Sequence, residues 1–192
     1  MFETFNLTVF NLLNAPVQAD PAMISFAVFV AEKLLFVEAL VMVVLWLAGS
    51  QQRRHALVVA GMTVVLALLV NAVIGSIWQH PRPFVIGVGQ QYLDHAADSS
   101  FPSDHGTLMF GVAFGLLLAS GGRVMGVFAL VAALLVAWSR VYLGIHWPLD
   151  MIGAMVVSGA VGFGVTQWMP QVSNRISGLL NGVFNAVVAR FR

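Results

Sequence analysis

The chain contains no cysteine, and charged residues occupy only 9% of its 192 positions. The first absence excludes disulfides, thiolate nucleophiles and cysteine-ligated metals. The second excludes an ordinary soluble domain, where roughly a quarter of residues are charged. Lysine occurs once, at Lys33, and nine basic residues against eight acidic ones leave a formal net charge of +1. Such a balance gives no indication of nucleic-acid binding. What fills the sequence is hydrocarbon: 59% of the residues are hydrophobic.

Five stretches are long enough to cross a bilayer, which takes about 20 apolar residues as a helix. They are Ala22–Leu47, Ala56–Trp78, Ser103–Ala119, Val124–Trp138 and Trp147–Met169. Helices satisfy their own backbone in lipid. The expected fold is therefore all-α: an integral membrane bundle of about five transmembrane helices over residues 22–169, in one domain spanning 1–192. The first twenty residues lack a basic start and carry Glu3, so they do not read as a secretory signal. Phe2, Phe5, Val9, Phe10 and Leu13 share a helical face opposite Asn6, Asn11 and Asn14, with a stop near Pro16. In the tail, 171–192, Ile176, Leu179, Leu180, Val183, Phe184, Val187, Val188 and Phe191 form a stripe flanked by Arg175, Arg190 and Arg192. Each end suits a helix lying in the membrane interface, and equally a helix packed on the bundle. The small residues Gly111 and Gly115, and Ala154, Ser158 and Gly162, point to close helix packing.

With five spans, Arg53, Arg54, Arg123, Arg175, Arg190 and Arg192 fall on one side, which the positive-inside rule makes cytoplasmic. Only Arg82 and Arg140 remain on the other, each close to a histidine. Three polar segments gather on that outer side: HPRPF at 80–84, SSFPSDHGTL at 99–108 and SRVYLGIHWPLD at 139–150. Arg82 and Arg140 offer planar donor forks suited to phosphate oxygens. Ser103 precedes a helix whose first N–H groups form an anion site. His146 and Asp150, four apart, share a face, so Asp150 can hold one imidazole nitrogen and leave the other as nucleophile. His105 is a second imidazole, suited to protonating a leaving oxygen. Each residue has a plain structural reading. Arg140 can snorkel, Ser103, Asp104 and Asp150 can cap helices, and His146 can sit in the interface. Their joint collection on the scarce polar surface favours the functional reading. His80 either lines the site or sits beside it, and Asp94, His95 and Asp98 offer a cation site or, more simply, a solvated loop.

RP at 82–83, PSDH at 102–105 and SRVYLGIHWPLD at 139–150 resemble, in order and spacing, the three signature segments of the type-2 phosphatidic-acid phosphatase superfamily. PSDH and the small size are most similar to its bacterial undecaprenyl-diphosphate phosphatase branch, associated with bacitracin resistance. The resemblance implies that His146 attacks phosphorus, Asp150 orients it, and His105 protonates the leaving group and then activates water. Arg82, Arg140, Ser103 and amides near Asp104 would bind phosphoryl oxygens, without metal or other cofactor. It implies a polyprenyl diphosphate substrate met among membrane lipids, at the outer face of a bacterial inner membrane. A related lipid phosphatase or phosphotransferase is the neighbouring alternative, and a small proton-coupled transporter is one of a different class. The pattern departs at Gly75, seven residues before Arg82, where the family carries a lysine. Lys33, beside Glu32 and near Glu38, either faces the bundle interior to supply that charge or forms a helix-holding pair. Oligomeric state is not readable from these residues.

Overall fold

The computed structural model describes residues 2–190, and its seven helices include no strand among them. They are α1 (Phe2–Leu13), α2 (Pro21–Ala48), α3 (Gln51–Ile77), α4 (Asp104–Leu118), α5 (Arg123–Tyr142), α6 (Pro148–Trp168) and α7 (Pro170–Ala189). The backbone says why they start there. Asp20 accepts the Ala22 N–H at 2.9 Å and caps α2, and Ser50 accepts from Arg53 to cap α3. Pro21, Pro148 and Pro170 open α2, α6 and α7, where a missing N–H is harmless.

Every expected span has its helix. By length and composition three, α3, α5 and α6, are long and apolar enough to cross a membrane. α2 is longer still, but it carries Glu32, Lys33 and Glu38. α4 has 15 residues and so runs only about 22 Å. It is the central helix, packed by α3, α5 and α6, and nine of its residues are buried. A helix sheathed by neighbours need not match the hydrocarbon thickness itself. The outer surface is apolar: Leu40, Val44, Leu47, Leu69, Val73, Phe128 and Val131 are all more than half exposed. Such a surface belongs against lipid chains, and the chain is a membrane protein.

Both terminal helices pack on the bundle, but neither turns its whole apolar stripe inward. In α1, Asn6 and Phe10 are buried while Phe5 is half exposed. Phe10 meets the Trp147 ring at 5.0 Å, and Asn6 Oδ1 accepts the Leu149 N–H at the start of α6. In α7 the buried seam is Ser173, Ser177 and Asn181, while Leu179, Leu180, Val183 and Val187 face outward. Phe191, Arg192 and the Phe2 side chain lie outside the described residues.

Lys33 does not face the bundle interior. It is exposed on α2 and pairs with Glu32 at 3.2 Å, so the interior expectation is corrected. Helix α2 touches the bundle chiefly through the small side chains Ala27, Val30 and Ala31, which aim Lys33 the other way.

Candidate active site

The C-terminal ends of α3 and α5 and the N-terminal ends of α4 and α6 meet at one end of the bundle. Backbone hydrogen bonds tie the connecting segments into one shell. Ser100 N donates to His80 O, Ser103 N to Asp150 O and Tyr92 N to Leu143 O. The turn before α6 contains Gly144 at φ +78°, a left-handed backbone that glycine adopts freely. A Cβ there would also strike the Gln90 carbonyl, so Gly144 lets the 87–99 segment close over the turn that carries His146.

His146 is 2% exposed. Its Nδ1 lies 3.1 Å from Asp150 Oδ2, and its Nε2 lies 2.9 Å from Arg82 Nη1 and 3.3 Å from Ser103 Oγ. The shorter contacts assign the tautomer, since Arg82 Nη1 lies 3.4 Å from Nδ1 but 2.9 Å from Nε2. A guanidinium only donates, so Nε2 presents its lone pair, and the single proton sits on Nδ1 facing Asp150. Burial foremost, then Arg140 and Arg82, push the imidazole pKa well below its ordinary value and keep the ring neutral. Asp150 Oδ2 accepts also from the Trp147 N–H at 2.8 Å and from the Ser100 hydroxyl.

Arg82 is buried. It donates to Ile145 O at 2.9 Å and pairs with Asp98 at 2.8 Å. Arg140, in the last turn of α5, is 2% exposed and reaches Ala31 O at 3.4 Å, with its Nε unpartnered. Among the described residues it forms no ion pair. A buried cation without a counter-charge is costly unless an anion joins it. Ser103 caps α4, its Oγ accepting from Gly106 N at 3.2 Å.

His105 lines a cavity of about 780 Å³ together with Asn71, Gly75, Asp98 and Asp104. The Asp104 carboxylate is turned to α3, where it accepts from Asn71 Nδ2 at 3.1 Å. Any anion contact by Asp104 therefore falls to its backbone. Lys33 is absent from the cavity lining. A Cβ at Gly75 would meet nothing within 4 Å, so the wall where the superfamily pattern has lysine stands open.

Several members carry no motif signal. Ser100 sits between Asp150 and His146 Nδ1. Asn71 reaches Asp104 and Thr107 from another helix. His95 is no solvated loop residue: its ring stands edge-on to His146 at 5.9 Å, and burial above all holds its pKa below the ordinary imidazole value. The only advance signal was polarity, in a protein with little of it.

The arrangement offers a neutral nucleophilic nitrogen, a carboxylate behind it, and two guanidinium groups with a helix N-terminus around it. Such a set attacks a tetrahedral anion and offsets its charge. Comparison with known proteins agrees. YbjG of Escherichia coli K12 is 44% identical over 84% of this chain and 81% of its own length. The undecaprenyl-diphosphatase BcrC of Bacillus subtilis 168 is 32% identical over 82% of this chain and 81% of its own. In fold, the crystal structure of a transmembrane PAP2-type phosphatidylglycerolphosphate phosphatase from Bacillus subtilis superposes with TM-score 0.62 at 21% identity, covering 89% of this chain and 87% of that one. Residues 56–174 match the PAP2 superfamily model and contain every residue of the shell just described from Asn71 to Asp150, and the chain belongs to the PAP2 superfamily.

Proposed function

We propose that the protein hydrolyses undecaprenyl diphosphate to undecaprenyl phosphate and inorganic phosphate through a phosphohistidine, at the outer face of a bacterial inner membrane. The His146 Nε2 lone pair attacks the terminal phosphorus. The bond from that phosphorus to the bridging oxygen breaks, and His105 gives its proton to the departing lipid phosphate. Asp150 stabilises the imidazolium formed on His146. Water then attacks the phosphohistidine, His105 takes its proton, the P–N bond breaks and phosphate leaves. Arg82, Arg140, the Ser103 hydroxyl and the amides opening α4 hold the equatorial oxygens.

The observation that carries this reading is the setting of His146, whose Nδ1 lies 3.1 Å from Asp150 Oδ2 while its Nε2 lies 2.9 Å from Arg82 and 3.3 Å from Ser103. A lipid substrate is supported by the shape of the site. Leu35 and Leu108 line both the 780 Å³ cavity and an apolar groove of about 480 Å³ between α2 and α3. A charged head and a prenyl tail therefore have adjoining places. The BcrC relative supports the diphosphate over other lipid phosphates. A transporter would spread titratable groups through the bundle depth, whereas here, apart from Glu32, Lys33 and Glu38 of α2, they lie at the ends of the helices. The outward orientation rests on Arg53, Arg54 and Arg123 at the opposite end.

Phosphate release by the purified protein tests the reading. The substrates are undecaprenyl diphosphate, undecaprenyl monophosphate and phosphatidylglycerol phosphate, each with chelator present. Preference for the diphosphate is expected, and turnover of another substrate alone would overturn the assignment. His146→Ala is expected to leave only residual turnover.

A further inference from the structure

Asp150 uses its two oxygens very unequally. Oδ2 accepts from His146, Ser100 and Trp147, while Oδ1 is buried with no hydrogen-bond partner at all. Facing it, 3.8 Å away, is Nδ1 of His80, also buried and also without a partner. A buried carboxylate oxygen left unpaired is costly, and so is an unpaired ring nitrogen. Two such atoms opposite one another are a hydrogen bond slightly too long to count.

Everything else about His80 is held. Its backbone N–H donates to Ser99 Oγ at 3.3 Å, and its carbonyl accepts from Ser100 N at 2.7 Å. Its ring lies between Trp78 and Trp147, with centroids 5.9 and 6.3 Å away. On the far side, Nε2 lies 3.4 Å from Glu3 of α1. Glu3, His80 and Asp150 line one cavity of about 680 Å³, and neither His105 nor any arginine lines it. This second cavity gives the ring room to tilt, and it approaches Asp150 from behind.

We propose that His80 is a positioning residue for the reaction: with a proton on each ring nitrogen, its Nδ1–H donates to Asp150 Oδ1 and its Nε2–H donates to Glu3. The inference rests on His146 being the nucleophile. Closing the gap from 3.8 Å to hydrogen-bond length needs only a small tilt, and bonds around a reacting group commonly tighten once substrate binds. With both oxygens engaged, Asp150 cannot rotate about its Cβ–Cγ bond. The His146 proton then stays on Nδ1 and the Nε2 lone pair stays aimed at phosphorus. His80 touches neither phosphate nor water in this scheme and acts wholly through Asp150.

The test uses the purified full chain with undecaprenyl diphosphate, comparing wild type with His80→Leu, His80→Asn and His80→Gln. Asparagine places its amide nitrogen where Nδ1 lies, and glutamine places its own where Nε2 lies. His80→Leu is expected to lower kcat about 10- to 100-fold, as a misaimed catalytic group does, with KM within about twofold. His80→Asn should regain most of that loss, and His80→Gln should not. Full turnover in His80→Leu, equal rescue by both amides, or an effect confined to KM would overturn the proposal. If His80→Leu fails to fold, the Asn and Gln variants decide alone. Wild-type protein that releases no phosphate would instead defeat the phosphatase reading, and the proposal with it.

Discussion

Asp150 carries a charge that its neighbours need and a shape they need separately, and one substitution separates the two. In Asp150→Asn the amide oxygen can still receive the His146, Ser100 and Trp147 donors, and the new NH₂ is accepted by His80 Nδ1 once the ring keeps its single proton on Nε2, toward Glu3. Geometry survives and the counter-charge for the phosphoimidazolium is lost. We expect kcat to fall about 10²- to 10⁴-fold, with the thermal midpoint in detergent nearly unchanged; steady-state phosphate release and a melting curve measure both. A buried charge elsewhere does the opposite. Glu38 is 7% exposed and lines the α2–α3 groove with both carboxylate oxygens unpartnered. Replacing an unsatisfied polar group by an apolar one of similar size removes a cost of about 1–3 kcal/mol. Glu38→Leu should therefore raise stability in detergent, and a lower midpoint would show that the carboxyl has a partner. At this scale the sequence disclosed residue types and little of their pairing. His146, Asp150, Arg82 and Ser103 could be picked out because polar residues are scarce. Asn71 and Ser100 could not, and His80 could be named but not placed, because their partners lie 33, 50 and about 70 positions away and no spacing rule reaches that far.

Helix α4 shows how small residues set the frame in which those side chains meet. A Cβ at Gly111 would press on Val64, and one at Gly115 on the Ala60 backbone, so α3 and α4 cross with almost no gap. Gly162 of α6 faces Thr63 and Phe114, and Ser158 donates to Thr107 O at 3.0 Å. Gly115→Val should cost about 1–3 kcal/mol through overpacking. Gly61→Ala, on the open side of α3 with nothing within 4 Å, should be nearly neutral or slightly stabilising. Unfolding of the two variants side by side checks this, and equal behaviour would refute the close crossing. Helix existence was legible from apolar runs, but boundaries and faces less so. α3 begins at Gln51 rather than Ala56 because Arg54 turns inward, donating to Trp46 O at 2.8 Å and lying 3.7 Å over the Phe184 ring. α5 runs to Tyr142 because Ser139 and Arg140 belong to its last turn. α1 and α7 bury Asn6 or a Ser–Ser–Asn seam because apolar side chains gain little by leaving lipid, so polar contacts decide which face turns inward.

Across the whole molecule, the head cavity at the α3–α4 end adjoins, across Leu35 and Leu108, a groove that continues down α2 and α3. The first groove shares Trp46, Leu57, Gly61 and Val65 with a second of about 480 Å³, reaching Ile176 and Leu180 of α7. Gly75 marks the head cavity and Gly61 the middle of the groove, 14 residues apart on one helix, or about 21 Å. A long prenyl tail leaving the phosphate site along this path must pass Gly61, whereas a three-isoprene tail ends before it. Because Gly61 borders open space, a large side chain fits there without disturbing the α3–α4 crossing, which uses the Ala60 side of the helix. Gly61→Trp should therefore raise KM for undecaprenyl diphosphate about tenfold, the loss of roughly 1.4 kcal/mol of tail binding, and leave KM for farnesyl diphosphate and both kcat values within about twofold. The His146 shell lies too far away to feel the change directly. Equal effects on the two substrates would mean that the indole disturbed the bundle, and no effect on either would send the tail out of the head cavity by another side. Only the length-dependent outcome is consistent with a substrate that lies along α2 and α3 while its diphosphate meets His146.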